Sequence, residues 1–316
     1  MKDNEMFTFN YIITIHNKEH LIRKVLNGVK NSMTENSVIY PVLDGCTDNT
    51  EHVIDEFQKE NPSIKICKVY ENDVHELLAI NAALDVIDHS PGNQLNVILQ
   101  DDVILNDFSL EKHLQLLYKK FMGNLGIVSM RHGGNLSRFL INKKSCVFPI
   151  EGYVETIFGH GVSGNLKDLD EGSFIFKDIA IKSPICIPSY VIARIGVPHK
   201  IYRPWDDIAY CFKALENGFK NGVLGLPFIS DKEWGTMRNK NQQKKHDDIV
   251  LKNLETFRVN NNGAIESFFN NRAINNKIYQ IWQPVQNKKN KPRYLDFLKN
   301  KIRRTLYKIK LSLKND

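Results

Sequence analysis

Val97-Ile-Leu-Gln-Asp-Asp-Val103 sets two adjacent carboxylates, Asp101 and Asp102, at the end of an apolar run. A buried strand seldom ends this way unless a cation, a cationic side chain or water satisfies the charges. Such a pair suits Mg2+ or Mn2+ bridging a diphosphate, a cation held by one or two carboxylates with phosphate oxygens and waters. The plainer reading is a solvated turn. Leu43-Asp-Gly-Cys-Thr-Asp-Asn-Thr50 is a second place of this kind. There Asp44 can accept hydrogen bonds from a base or ribose, Gly45 permits a sharp turn, and Thr47-Asp48 can cap the next helix. Thr14-Ile-His-Asn-Lys-Glu19 is a polar turn between an apolar run and a helical pattern. A helix N-terminus there favours phosphate, although Asn17 as an ordinary cap reads the same way. Trp205-Asp-Asp-Ile-Ala-Tyr-Cys211 opens a helix with Asp206 and Asp207. First-turn acids complement the macrodipole, and one of the two could instead deprotonate an incoming hydroxyl.

The elements that must position these residues follow from periodicity. Strands are expected at Phe9–Ile15, Ser37–Leu43, Ile64–Tyr70, Leu95–Leu99 and Gly126–Met130. Helices are expected at His20–Val29, Asn49–Lys59, Val74–Ile87 and Ser109–Phe121. In the first of them Leu21, Val25, Leu26 and Val29 recur at helical spacing. The alternation predicts an α/β fold with a mostly parallel sheet flanked by helices. Ligands of such sheets sit at the C-terminal strand ends, where the acidic and polar clusters lie. Residues 131–185 are glycine-rich and predict long loops with short edge strands. Pro204 to Glu216 reads as a helix closed by Asn217-Gly218.

The chain has 316 residues, 42% of them hydrophobic, enough for one large α/β domain with a smaller appendage. Neither an early secretory pattern nor an apolar stretch of ~18 residues is present. The five cysteines are scattered without a CxxC pair, so neither a structural zinc site nor a disulfide framework is expected, and a reducing cytoplasm is the natural location. The net charge of +7 is concentrated: Gln286–Asp316 carries eleven Lys/Arg against two Asp, a net +9, leaving the rest at about −2. A nucleic-acid-binding body is therefore disfavoured.

Taken together, the four segments resemble the family 2 glycosyltransferases of the GT-A fold. Ile12-Ile-Thr-Ile-His-Asn-Lys-Glu19 is similar to their opening I-I-P-x-Y-N, and the Asp44–Thr50 run to D-G-S-T-D-x-T. Leu99-Gln-Asp-Asp-Val103 resembles the strand-end metal motif, and Asp206-Asp207-Ile-Ala-Tyr-Cys211 resembles E-D-x-D-L-x. The resemblance spans roughly residues 7–236. It implies a nucleotide-sugar donor pocket lined by Thr14, His16, Asn17, Glu19, Asp44, Asn81, Gln100 and Asp101, a divalent Mn2+ or Mg2+ on Asp102, and Asp207 as general base, with inversion at the sugar. Trp205 and Asp206 would face the acceptor, a glycan or lipid-linked hydroxyl, as could Arg131, His132, Arg138, Tyr153 and His160. Residues 1–258 would form the GT-A domain (1–130 the nucleotide-sugar half, 131–258 the acceptor half), with 259–292 an Asn-rich linker or extension. Departures stand beside the matches. Thr14 replaces the family's Pro, Gln100 the first acid of the metal motif, Ala209 the second acid after the base, and Val74-His75-Glu76 a Gly-rich stretch before Asn81. Lys232, Glu233 or His246 could stand in for a His expected near Trp234. The eroded positions motivate the alternative of a non-catalytic, GT-A-like glycan- or nucleotide-binding module.

From Arg293 onward, Leu295, Leu298, Ile302, Leu306, Ile309 and Leu313 fall at steps of three or four among lysines and arginines. That is a basic amphipathic helix over 293–316, suited to an anionic membrane surface and to a peripheral place on the inner face of the membrane. Packing against the body or a partner is the competing use. Deletion of 293–316 is expected to weaken co-sedimentation with anionic vesicles. Unchanged binding rules the membrane role out.

Overall fold

A computed structural model of the chain describes residues 7–90, 92–105, 109–130, 132–136, 150–154, 169–198, 206–226, 228–230, 259, 266–267, 270 and 277–283. Met1–Trp282 forms one compact unit and Gln283–Asp316 a second. The basic tail over 293–316 lies outside the described residues, as do Arg131, Arg138, His160, Trp205, Lys232, Glu233, Trp234 and His246.

Apart from the short β6, which the periodicity does not predict, the first half alternates as expected: β1 (Thr8–Ile15), α1 (Ile22–Ser32), β2 (Ser37–Asp44), α2 (Thr50–Glu60), β3 (Lys65–Ile66), β4 (Val69–Glu71), α3 (Glu76–Val86), β5 (Gln94–Gln100), β6 (Val103–Leu105), α4 (Leu110–Lys120) and β7 (Leu125–Ser129). There follow β8 (His132–Leu136), β9 (Ile150–Val154), β10 (Ser173–Phe176), β11 (Ile179–Ile181), β12 (Ile185–Pro188), α5 (Ser189–Ile195), α6 (Asp206–Glu216), β13 (Lys220–Leu224), β14 (Phe228–Ser230) and β15 (Ile278–Gln280). The main sheet is mixed and mostly parallel, in the order β15-β10-β13-β7-β12-β5-β1-β2-β3, with β4 also on β2. Parallel pairing of β1 with both β2 and β5 puts the C-terminal ends of all three on one edge. β1 and β5 are buried along nearly their whole length, as expected of parallel strands covered on both faces. Helix α1 buries Ile22, Val25, Leu26 and Val29, an i, i+3, i+4, i+7 stripe. The stripe belongs to the core that holds Phe9 and Tyr11 of β1 and Leu95, Val97 and Leu99 of β5.

Three expectations change in the folded chain. The strand expected at Ile64–Tyr70 is two short pieces, broken where the Cys67 N–H turns to the Ile39 carbonyl. Helix α3 starts at Glu76 rather than Val74, because His75 stands at φ +79° and ψ 154°, outside the helical region, with the Val74 and His75 N–H groups bonded to the Asp44 carboxylate. The 131–185 stretch holds more than the loops and edge strands its glycines predict. β10 lies between β15 and β13, and β12, which begins at Ile185, is inserted antiparallel between β5 and β7 in the middle of the sheet. Strands of four residues are too short to display a period, so the sequence hides them. Helix α6 ends as read: Gly218, at φ +85°, donates to Leu215 O and Phe219 donates to Ala214 O, the paired bonds of a Schellman cap.

Glu111, in the first turn of α4, ties this layer to the sheet. Its carboxylate accepts from Ser37 Oγ (2.6 Å), Tyr11 OH (3.0 Å) and the Thr34 N–H (3.0 Å). Burial raises its pKa above 4.5, against the lowering effect of those donors. The folded protein thus holds this proton more tightly than the unfolded chain. The associated stability is fullest below about pH 4.5 and is lost as pH rises through the raised folded value. Glu111→Gln is expected to flatten that part of the pH dependence, read from denaturation midpoints at a series of pH values. Glu111→Ala is expected to cost about 2–4 kcal/mol, because buried donors lose their acceptor.

Candidate active site

The loops after β1, β2 and β5 meet at the C-terminal edge and are fastened to one another by side chains. The His16 N–H donates to Asp101 Oδ2 (3.0 Å). The His16 ring donates from Nδ1 to the Asp44 carbonyl (2.6 Å), a bond that fixes the tautomer and leaves Nε2 as acceptor toward Asn17 Nδ2 (3.4 Å). Asn17, at φ +51°, accepts with Oδ1 from the N–H groups of Thr47 (2.7 Å) and Asp48 (3.3 Å). Glu19 accepts from the Asn49 N–H (2.9 Å), and Asp48 accepts from the N–H groups of Glu19 (3.1 Å) and Thr50 (3.0 Å). Glu19 and Asp48 therefore brace the start of α2 against the first loop.

Asp44 ends β2, and its two oxygens accept from the N–H groups of Val74 (2.7 Å) and His75 (3.0 Å). Gly45 beside it has φ +62° and lies so close to the 71–75 loop that a Cβ there would meet Asp73 Cβ at 2.8 Å. Thr14 and Gln100 are register partners on β1 and β5, and the Gln100 N–H donates to Ser183 Oγ (2.8 Å) in the turn between β11 and β12.

Asp101 carries the strongest perturbation on this edge. Burial pushes its pKa up to about 6, Lys18 and the His16 N–H pull it down, and the charges of Asp102 and Glu76 raise it. The Lys18 ammonium lies 3.5 Å from Asp101 Oδ1, with the two side chains only 8% and 17% exposed. A second lysine, Lys182, pairs with Glu76 at 3.1 Å. The sequence does not mark Lys18, Glu76 or Lys182 as site residues. A lysine in a polar turn reads as solvated, and nothing local announces a carboxylate supplied by a distant strand.

Asn81 has a different setting. Its amide donates to the Pro198 carbonyl (2.9 Å) and accepts from Tyr210 OH (2.7 Å), so it joins α3 to α6 inside the protein. Asp207 sits in the first turn of α6, partly buried, with Oδ1 accepting from the Ile208 N–H (2.9 Å). Asp206 is the first residue of that helix. The proposed acceptor residue Trp205 is outside the described residues.

The side chains on this edge limit how a divalent cation can be held. Both Asp101 oxygens face partners within the protein, whereas Asp102 is half-buried on the same turn. Among the described residues no group of three or more His, Cys, Asp or Glu side chains could hold a metal ion. The described residues therefore fit a cation held by one carboxylate with nucleotide oxygens and water. Among the described residues no helix is long and apolar enough to cross a membrane.

Lys18→Met is expected to destabilise the protein by about 3 kcal/mol, the lower range for an orphaned buried charge, since Asp101 keeps some exposure. Adding Asp101→Asn to Lys18→Met is expected to restore part of that loss in urea denaturation. Additive losses would show that the two side chains are not coupled.

Residues 11–160 match the family model described as glycosyl transferase family 2. A sequence comparison with curated proteins gives no match. Among solved structures, S. aureus TarS is similar with a TM-score of 0.51 at 12% identity, over 71% of this chain and 36% of that one. The chain thus spans about a third of the length of that relative. The mannosyltransferase PcManGT from Pyrobaculum calidifontis, solved in complex with GDP-Man and Mn2+, has a TM-score of 0.50 at 13% identity, over 85% of this chain and 77% of that one. At such identities the likeness speaks for the fold alone. Residues 11–160 thus resemble glycosyl transferase family 2, and the chain has the GT-A fold.

Proposed function

We propose that the chain transfers a sugar from a nucleoside diphosphate donor to an acceptor hydroxyl with inversion, using a divalent metal. The observation that carries this reading is the fastening of three strand-end loops around His16, Asp44 and Asp101 on one edge of the sheet. Such an edge offers a nucleoside the loops that the buried Asp44 carboxylate holds in place, and offers a diphosphate the acidic turn at 101–102. Thr14, His16, Asn17, Glu19 and Gln100 shape the donor side, directly or by holding the loops. Asn81 acts from farther back, through Tyr210 of α6.

Asp102 is the residue to hold Mn2+ or Mg2+. When bound, that cation neutralises charge on the departing diphosphate. Asp207 takes the proton of the acceptor hydroxyl as its oxygen bonds to the anomeric carbon. The bond from that carbon to the donor phosphate oxygen breaks in the same displacement, and its electron pair leaves with the nucleoside diphosphate. In this reading residues 1–130 supply the donor side and 131–258 the acceptor wall with Trp205 and Asp206. The acceptor is a glycan or lipid-linked hydroxyl of surface polysaccharide assembly, met at the membrane through 293–316.

Asp207→Asn is expected to lower transfer about 10^2–10^4-fold with little change in donor binding, as for loss of a general base. In thermal-shift measurements, a nucleotide sugar with Mn2+ is expected to raise the melting temperature of the wild type, and Asp102→Asn to lose the Mn2+-dependent part. Wild-type transfer rates in both variants overturn the proposal.

A further inference from the structure

His75 has the backbone on this edge that fits its side chain least. It stands at φ +79° and ψ 154°, just before α3. Asn17 and Asp73 also have positive φ, at 51° and 54°, but these lie near the left-handed region that Asn and Asp tolerate. The combination at His75 is open essentially to glycine alone. Strain of that kind persists only where the surroundings over-determine the backbone. Here they do. The N–H groups of Val74 and His75 are held by the Asp44 carboxylate, the His75 carbonyl accepts from Leu78 and Ala79, and the Gly45 N–H holds the Glu71 carbonyl at 2.9 Å.

Glycine at this position would make the same backbone bonds without strain. What histidine adds is its side chain, and that side chain is exposed. A second exposed imidazole, that of His16, is tied to the carbonyl of the same Asp44. Asp44 is thus the common partner of two histidines, one bonded through its ring and the other through its backbone. Planar aromatic groups exposed at one strand end suit a nucleobase, which presents faces for stacking.

We propose that His75 is a donor-binding residue whose imidazole contacts the nucleobase beside Asp44, and that its strained backbone is retained for that contact. The inference rests on the nucleotide-donor reading above. It separates two properties that a purely structural residue would keep together, stability and affinity.

The test compares His75→Gly and His75→Ala with the wild type, using calorimetric titration with UDP and GDP in the presence of Mn2+ and thermal melting without ligand. Both variants lack the imidazole, and each is expected to bind the preferred nucleotide about 10-fold more weakly. Only His75→Gly relieves the backbone, so only it is expected to melt higher, by about 2–4 °C. Wild-type affinity in His75→Gly overturns the proposal. So does a His75→Gly protein that binds weakly and also melts below the wild type, since the loss is then structural. If the wild type itself binds neither nucleotide, the donor reading falls, and the role of His75 falls with it.

Discussion

A largely desolvated carboxylate beside a nearly buried lysine organises the C-terminal edge of this protein. Asp101 sits where β5 ends, and desolvation there opposes ionisation. The Lys18 ammonium and the His16 N–H offset that cost. Both come from the loop after β1, so satisfying Asp101 also sets the path of that loop. The loop in turn grips the start of α2 through Asn17, Glu19 and the bond from the Lys18 N–H to Thr50 Oγ1. One electrostatic requirement therefore fixes three neighbouring loops, and Asp102 is presented on the turn they surround.

The opposite edge of the same strands is closed by neutral groups. Asn10 donates to Gln94 and Asn96, and Asn96 donates to the Ile187 carbonyl and Ser189 Oγ. Asn10 and Asn96 are buried in the central strands, where each unmet bond is expensive. They join β1, β5 and the end of β12 with polar partners satisfied inside the protein. The contrast is physical: bonded amides close one edge, while charged and exposed groups gather at the other.

Helix α3 relates the strand-end loops to α6. Its first residue, Glu76, pairs with Lys182 and acts on Asp101 through its field. Five residues on, about 7.5 Å along the helix, Asn81 meets Tyr210, which lies about one turn past Asp207. The segment that carries the candidate base is thus packed against the helix whose start is set by Asp44. The same Asp44 bonds hold His75 in its unusual conformation.

Alternation of apolar runs with helical stripes is enough to read β1, β2, β5, β7 and the acidic strand ends, because period and capping are local properties, whereas the three-residue β6 and the break between β3 and β4 escape it. The Asn217-Gly218 stop of α6 is equally plain. The inserted strand β12 is not, since four residues carry no period. Nor are Lys18 against Asp101, Lys182 against Glu76 or Tyr210 against Asn81, whose partners are far apart in the chain. The conformation of His75 is also decided by tertiary structure, through a carboxylate 31 positions earlier. Residue types and local spacing determined which groups could do chemistry. Sheet order determined which of them meet, because parallel pairing gathers loops that the sequence keeps apart.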